Sequence, residues 1–217
     1  VADFPAADRP IVRRLQLPPL YLITDSRRFG GARFLALLER ALVGGARLVQ
    51  LREPHLDDAA FVAQARAVGA LCRRYGAKLL VNADPLVAVA CGADGAHLNS
   101  RRLRALPARP LDENALVAAS CHNREELEHA QNLALDFAVL GPVRPTASHP
   151  DAMALGWDKF QTLCAGLHLP VYALGGMRVD DLPQARATGA HGLAMVSGVW
   201  SAADMGTALT PLRGADY

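Results

Sequence analysis

Short apolar runs recur along the chain and alternate with longer segments in which apolar residues follow helical spacing. The runs are continuous instead of alternating with polar residues, which is typical of parallel strands that are covered on both faces. They are rich in Val, Leu and Ala. Eight such runs predict eight strands, at residues 20–25, 47–52, 78–82, 95–99, 116–121, 137–142, 170–176 and 192–198.

The segments between the runs are the predicted helices, and several end in glycine, which tolerates the left-handed backbone that closes a helix. The clearest are RFLALLERALVGG, DDAAFVAQARAVGALCRRYG, REELEHAQNL, GWDKFQTLCAGL and VDDLPQARATG. Eight strand-helix units in about 200 residues favour an α/β fold of the (β/α)₈ TIM-barrel type over an open doubly wound sheet. We expect this barrel to span residues 20–217. Residues 1–19 hold four prolines and no amphipathic period, which predicts a linker or N-terminal extension.

Charge and apolar run length exclude several classes of partner. The formal net charge is +2, from 23 basic and 21 acidic side chains, so nothing overall favours nucleic acid. No run approaches the roughly 20 apolar residues of a membrane span, and the first residues lack the basic-then-apolar order of a signal peptide, so we expect a cytoplasmic protein without membrane contact. One basic cluster is either a solvated helix face or a rim that attracts anions: Arg101, Arg102, Arg104 and Arg109.

The four cysteines are widely spaced and form no C-x-x-C pair, which excludes the common zinc and redox motifs. Such residues are most simply buried free thiols in a reducing compartment. They are Cys72, Cys91, Cys121 and Cys164.

In this fold class the ligand binds at the carboxyl ends of the strands, and phosphate is commonly bound after strands seven and eight. Gly175 and Gly176 end the seventh run, and Ser197 and Gly198 end the eighth, so their backbone amides are candidates for phosphate binding. Tight turns are the alternative explanation. After the sixth run, the loop of residues 141–150 adds further candidate anion ligands: Thr146, Ser148, Arg144 and His149.

Polar side chains also end other predicted strands. Gln50 and Arg52 lie two residues apart, so they share one side of the second strand, and the Arg requires either a ligand phosphate or a structural salt bridge. His97 shares a face with Asn99, and His122 follows the fifth strand. Both His97 and His122 are candidate catalytic acids or bases, or else structural histidines with satisfied hydrogen bonds.

Six segments in this order resemble the superfamily of barrels that contains thiamine phosphate synthases and the TenI-like thiazole tautomerases: YLITDSR, LVQLRE, GADGAHL, GPVRPTASHP, ALGGM and GAHGLAMVSG. Synthases of this superfamily join a pyrimidine diphosphate to a thiazole phosphate, with Mg²⁺ holding the leaving diphosphate. The resemblance implies a small phosphorylated ligand. It also implies that the thiazole phosphate contacts Thr146, Ser148, Gly175, Gly176 and Ser197.

The sequence departs from this resemblance at the positions that bind diphosphate and metal. The synthase pattern Q-x-R-x-K has Pro54 in place of the lysine. Ala83 follows Asn82 where the synthases carry an acid, and the second acid, after H-L, is replaced by Arg101 and Arg102. We therefore predict that Gln50, Arg52 and Asn82 remain as ligand-binding residues but that no residue binds metal, with Mg²⁺ expected only if the synthase reaction is retained.

Asp84 is the remaining acid near the predicted metal position. The spacing from Asn82 to His97 matches the family without a gap, so Asp84 lies one residue late, and in a strand one residue reverses the face. Asp84 precedes Pro85, an arrangement that is typical of the start of a helix. We predict that Asp84 caps a short helix.

Two functions are therefore expected from the sequence. The first is an enzyme of thiamine biosynthesis or salvage, synthase-like or tautomerase-like, although Pro142 stands where the tautomerases carry a catalytic His. The second is a phosphate-binding or regulatory domain without turnover, because the phosphate-binding residues are kept while the metal acids are lost. The segments CHN, LGPVRPTASHP and LGW also resemble the C-terminal domain of fusions with a Nudix pyrophosphatase. A fused or upstream Nudix domain and a homodimer are both possible partners in this scheme.

Overall fold

The computed structural model describes residues 16–146, 153–200 and 209, and in it eight parallel strands close into a barrel. Closure is made by the first and last strands, where Tyr21 pairs with Ala194. Every strand lies inside one of the runs identified from the sequence, so the predicted (β/α)₈ fold is confirmed. The strands are β1 Leu20–Ile23, β2 Leu48–Leu51, β3 Lys78–Val81, β4 Gly95–Leu98, β5 Leu116–Cys121, β6 Phe137–Leu140, β7 Val171–Leu174 and β8 Gly192–Met195.

Helices follow the strands and cover the outside of the barrel. The predicted segment VDDLPQARATG is divided into a 3₁₀ turn, Val179–Asp181, and a helix, because Pro183 has no N–H and is accommodated only in a first helical turn. A second 3₁₀ turn is Ser26–Arg28. The helices are α1 Gly31–Val43, α2 Asp58–Arg74, α3 Pro85–Cys91, α4 Ser100–Ala105, α5 Arg124–Asn132, α6 Gly156–Cys164, α7 Leu182–Ala187 and α8 Ser197–Trp200.

The apolar core has two layers because successive side chains of a strand point to opposite faces. The outer layer lies between strands and helices and contains residues such as Leu22, Val49 and Leu79. The inner layer fills the barrel and centres on Tyr21, Phe137 and Tyr172. Tyr21 meets Phe137 edge to face, with ring centroids 5.0 Å apart, so the lower part of the barrel is packed and a ligand must bind at an end.

The amino end of the barrel is closed by residues 16–19. The Tyr172 hydroxyl donates to the Pro18 carbonyl over 2.5 Å, and the Leu193 N–H donates to the Pro19 carbonyl over 2.8 Å. The end of the segment predicted as a linker therefore packs against the barrel. Residues 1–15 lie outside the described residues, and the domain boundary stays a prediction.

All four cysteines are buried and free, as predicted. Burial in apolar surroundings raises the pKa of the Cys72 thiol to about 12 and that of Cys164 to about 11, which keeps both protonated at neutral pH. Over the described ranges, no helix is both long enough and apolar enough to cross a membrane.

Candidate functional site

Polar side chains gather at the carboxyl end of the barrel, on strands β2 to β5. Counting by two from the inward-facing Leu48, Leu80 and Ala118 leads to Gln50, Asn82 and Ser120. Gln50 is buried, whereas Asn82 and Ser120 are half-buried at the rim. The sequence-predicted Gln50 and Asn82 are brought together, because the Asn82 Nδ2 donates to the Gln50 Oε1 over 3.2 Å.

His97 lies inside the barrel, 1% exposed, below this rim. Its Nδ1 is 3.2 Å from the Tyr21 hydroxyl and its Nε2 is 2.8 Å from the Ser120 Oγ. Desolvation, with a smaller effect from the charge of Arg52, lowers the pKa of His97 to about 3. The imidazole is therefore neutral at pH 7 with both nitrogens hydrogen-bonded, which agrees with the structural alternative for this histidine.

His122, the other predicted catalytic residue, is exposed at the end of β5. Its ring Nδ1 is 3.2 Å from the Gly141 carbonyl oxygen, and its backbone N–H donates to the buried Glu126 carboxylate over 2.8 Å. The structure does not bring His122 into the hydrogen bonds of His97. Its catalytic role stays a prediction.

Arg52 follows β2 at the rim and is exposed. Over the described ranges its guanidinium forms no ion pair, so the predicted alternative of a structural salt bridge finds no partner there. The positive charge of Arg52 also helps to lower the pKa of the buried His97, so it lies close enough to the barrel interior to act electrostatically on it. Arg52 is available to an anionic ligand.

Glu53 is a buried carboxylate at the same rim that the sequence did not single out. It accepts hydrogen bonds from the Thr24 hydroxyl over 2.5 Å and from the Ser26 N–H over 3.0 Å, and its Oε2 is 3.6 Å from the His55 Nδ1. It thereby joins the segments that follow β1 and β2. A buried acid needs such donors, but their identity depends on contacts between strands, so no local signal could reveal them.

Gly175 and Gly176 lie after β7 with positive φ angles of 101° and 66°. A Cβ at Gly175 would lie 2.5 Å from the Pro142 Cβ, and one at Gly176 would lie 2.8 Å from the Pro145 carbonyl oxygen. The glycines therefore allow the loop after β6 to pack closely, with the Arg144 N–H donating to the Gly175 carbonyl over 3.1 Å. Close packing accounts for these glycines without a ligand, and their phosphate contact stays a prediction.

The remaining phosphate candidates lie in different settings. Ser197 begins α8 and is exposed, while a Cβ at Gly198 would lie 2.4 Å from the Met177 carbonyl oxygen. Thr146 is half-buried in the loop after β6. Ser148 and His149 lie outside the described residues.

The sequence predicts that Arg144 adds positive charge near a ligand phosphate. Its guanidinium instead pairs with the Asp181 carboxylate over 2.9 Å and lies above the Trp157 ring. The charge of Arg144 is balanced within the protein, and the pair holds the loop after β6 against the turn before α7. The sequence could not reveal this pair, because its members are 37 positions apart.

The positions that the resemblance assigns to metal do not gather carboxylates. Asp84 is the N-cap of α3, as predicted, and its Oδ1 accepts from the Leu86 N–H over 3.0 Å. Over residues 16–146, 153–200 and 209, no group of three or more His, Cys, Asp or Glu side chains could hold a metal ion. Arg101 and Arg102 occupy the first turn of α4 near the rim.

The predicted basic cluster is divided in two by the structure. Arg104 pairs with Glu126 over 3.2 Å and Arg109 pairs with Asp136 over 2.7 Å, so the charges of these two arginines are balanced by carboxylates of the protein. Arg101 and Arg102 form no ion pair with any described side chain. The anion-attracting interpretation therefore applies only to these two.

A scan against protein-family models matches residues 20–199 to the family described as thiamine monophosphate synthase (TMP-TENI). The chain belongs to this family. Among thiamine monophosphate synthase relatives, a Geobacter sulfurreducens protein named "Putative thiamine-phosphate synthase" is 41% identical over 182 residues, which cover 83% of this chain and 85% of that protein. The thiamine-phosphate synthase of Chloroflexus aurantiacus is 35% identical over 195 residues, covering 89% and 90% of the two chains.

A solved structure supports the same membership. The thiamine phosphate pyrophosphorylase of Pyrococcus furiosus superposes with a TM-score of 0.73 at 29% sequence identity, covering 89% of this chain and 93% of that chain. These findings agree with the resemblance to thiamine phosphate synthases. The comparisons show neither a Nudix fusion nor a dimer, and both stay hypotheses.

Proposed function

We propose that the protein is a thiamine phosphate synthase that joins a pyrimidine diphosphate to a thiazole phosphate and releases diphosphate. The observation that carries this proposal is the polar rim of β2 to β5, Gln50, Asn82 and Ser120, in a chain that matches the family over residues 20–199. A heteroaromatic ligand needs a few fixed hydrogen-bonding groups above an apolar floor, and this rim supplies them.

Arg52 is the residue that best fits the charge of the leaving diphosphate. Departure of diphosphate concentrates negative charge on oxygen, and a cation that is already in place stabilises that charge. The exposed guanidinium has no carboxylate partner among the described side chains, so binding an anion breaks no ion pair that the structure describes. A guanidinium can also bind phosphate oxygens in a bidentate manner.

The described residues do not fit a magnesium site of the kind that the resemblance implies. Ala83 has no ligand atom in its side chain, Asp84 is committed to the Leu86 N–H, and Arg101 and Arg102 carry positive charge. We therefore infer that the protein contributes fewer acids to diphosphate binding than the resemblance implies, and we assign no step to a metal ion.

The proposal is tested by mixing the purified chain with the pyrimidine diphosphate and thiazole phosphate, and detecting thiamine phosphate by fluorescence after oxidation. We expect turnover at an enzyme-like rate, on the order of 1–10 per second. Arg52→Ala should lower the rate strongly. Arg74→Ala is the matched control, because Arg74 is an exposed arginine paired with Glu39 on the outside of the barrel.

Binding without turnover is the second candidate function, and the missing carboxylates are the observation that favours it. In that case no thiamine phosphate forms, but calorimetry with thiazole phosphate still detects binding that Arg52→Ala weakens. If neither product nor heat is observed, both functions and the phosphate site are refuted. The tautomerase alternative is weaker, since Pro142 carries no group that can move a proton.

A further inference from the structure

Hydrogen bonds join polar side chains in two groups across the upper interior of the barrel, and the proposed function leaves Tyr21 and His97 unused. The Asn82 Nδ2 donates to the Gln50 Oε1, the Tyr21 hydroxyl lies 3.2 Å from the His97 Nδ1, and the His97 Nε2 lies 2.8 Å from the Ser120 Oγ. Three of these residues are buried, with exposures of 0% for Tyr21, 2% for Gln50 and 1% for His97. We call Tyr21, His97 and Ser120 the rim relay.

The protonation of the two central rings is fixed by their burial. Desolvation raises the pKa of Tyr21 far above its usual value and lowers that of His97 to about 3. Tyr21 therefore keeps one hydroxyl hydrogen and His97 carries one N–H at any pH near neutrality. Arg52 disfavours a positive imidazole further.

The direction of the bonds follows from counting these hydrogens. Among the described residues, the His97 Nδ1 is the acceptor within hydrogen-bond distance of the buried Tyr21 hydroxyl, and a buried hydroxyl hydrogen needs an acceptor. Tyr21 then donates its single hydrogen to the His97 Nδ1. The remaining imidazole hydrogen must lie on Nε2, which donates to the Ser120 Oγ.

Ser120 is the last residue of the relay, and the direction of the preceding hydrogen bonds fixes the direction of its own. Its oxygen accepts from His97, so its own hydrogen cannot point back and is available to the half-buried rim. Over the described ranges, Ser120 Oγ has no second hydrogen-bond partner. A ligand at the rim therefore meets a hydroxyl donor in a fixed orientation.

We propose that Tyr21 and His97 are positioning residues, which hold His97 as the neutral Nε2–H tautomer and thereby make Ser120 a hydrogen-bond donor to an acceptor atom of the bound ligand. The inference rests on the proposed function only for the ligand, since the tautomer is a property of the free protein. It assigns His97 a role other than the acid or base expected from the sequence. A buried relay of this kind is organised before the ligand binds.

The first test is ¹⁵N NMR of the free protein labelled at histidine. We expect His97 to show a protonated Nε2 and an unprotonated Nδ1, unchanged between pH 8 and about pH 5, because its pKa lies far below this range. In Tyr21→Phe the donor to Nδ1 is lost, and the resonance should move toward a mixture of tautomers. Tyr172→Phe is the matched control, since Tyr172 is a buried tyrosine whose hydroxyl bonds Pro18 at the opposite end of the barrel.

The second test measures synthase kinetics in the same variants. Loss of one oriented bond should lower kcat roughly tenfold in Tyr21→Phe with little change in KM for thiazole phosphate. Tyr172→Phe should keep kcat. His97→Gln retains an amide donor for Ser120 and should keep more activity than His97→Ala, with the same pH profile as the unchanged protein.

Three results would overturn the inference. They are an Nδ1–H tautomer or a charged imidazole at His97 near pH 7, equal kcat in Tyr21→Phe and Tyr172→Phe, and loss of a pH-dependent limb in His97→Gln, which would restore the acid-base role. If the unchanged protein shows no turnover, the proposed function fails, but the NMR measurement still decides whether the relay has the stated polarity.

Discussion

Glu53 offers a test of the idea that the ligand-binding rim is held by a buried carboxylate. The carboxylate is 3% exposed and accepts from the Thr24 hydroxyl over 2.5 Å and from the Ser26 N–H over 3.0 Å. Replacement by alanine removes both acceptors and leaves the Ser26 N–H without one. Because each hydrogen bond to a buried charged group contributes about 1.5–3 kcal/mol, we expect Glu53→Ala to lose about 3–5 kcal/mol of unfolding free energy.

The conservative change separates charge from shape. Glu53→Gln keeps the size and one acceptor oxygen, so we expect a smaller loss of about 1–3 kcal/mol. Urea denaturation followed by circular dichroism measures both variants. In a domain of this size each kcal/mol corresponds to about 2–4 °C, so the alanine variant should melt roughly 6–20 °C lower.

A matched control and a double-mutant cycle decide the cause. Glu128→Gln removes an exposed carboxylate that pairs with Arg124 on α5, and it should change stability by less than about 0.5 kcal/mol. Combining Glu53→Gln with Thr24→Val should give a coupling energy near 1 kcal/mol, because the two side chains share a bond. A loss below 1 kcal/mol in Glu53→Ala, or no coupling with Thr24, would refute the structural role of this carboxylate.

Three further predictions concern the metal position, the glycine turn and the buried histidine. Asp84→Asn keeps the N-cap and should leave stability and activity unchanged, while Asp84→Ala should cost about 1 kcal/mol; loss of activity in the Asn variant would indicate a metal ligand. Gly176→Ala should cost at least about 2 kcal/mol, because positive φ is combined with a Cβ that lies 2.8 Å from the Pro145 carbonyl. Gly166→Ala, with positive φ but open space, should cost less, and equal losses would disprove the packing argument. The pKa of His97 is lowered to about 3 in the folded protein, so as pH falls the imidazole of the unfolded chain binds a proton before that of the folded chain. The free energy of unfolding should therefore decrease as pH drops below about 6.5, by about 2 kcal/mol at pH 5. His97→Gln should remove this decrease from the free energy of unfolding measured by denaturation at pH 5 and pH 7. The same pH dependence in the variant and the unchanged protein would contradict the prediction.

Features that depend on neighbours along the chain were predictable from the sequence. The eight strands follow from continuous apolar runs, because strands that are covered on both faces require apolar residues at every position. The N-cap role of Asp84 follows from a side chain that reaches the N–H two residues later and from Pro85 at the first helical position. The inward positions of Gln50 and Asn82 agree with the period of two along each strand.

What remained hidden depends on barrel closure and register. Tyr21 and His97 are 76 positions apart and meet only because the closed barrel directs both side chains into its interior. The Arg144–Asp181 and Glu53–Thr24 contacts likewise join loops from different strands. The sequence alone determined where strands and helices form and which polar residues lie at their ends, since these are local properties. Only the tertiary structure decided which polar groups satisfy one another, because a buried hydrogen bond requires a distance and direction that spacing along the chain does not set.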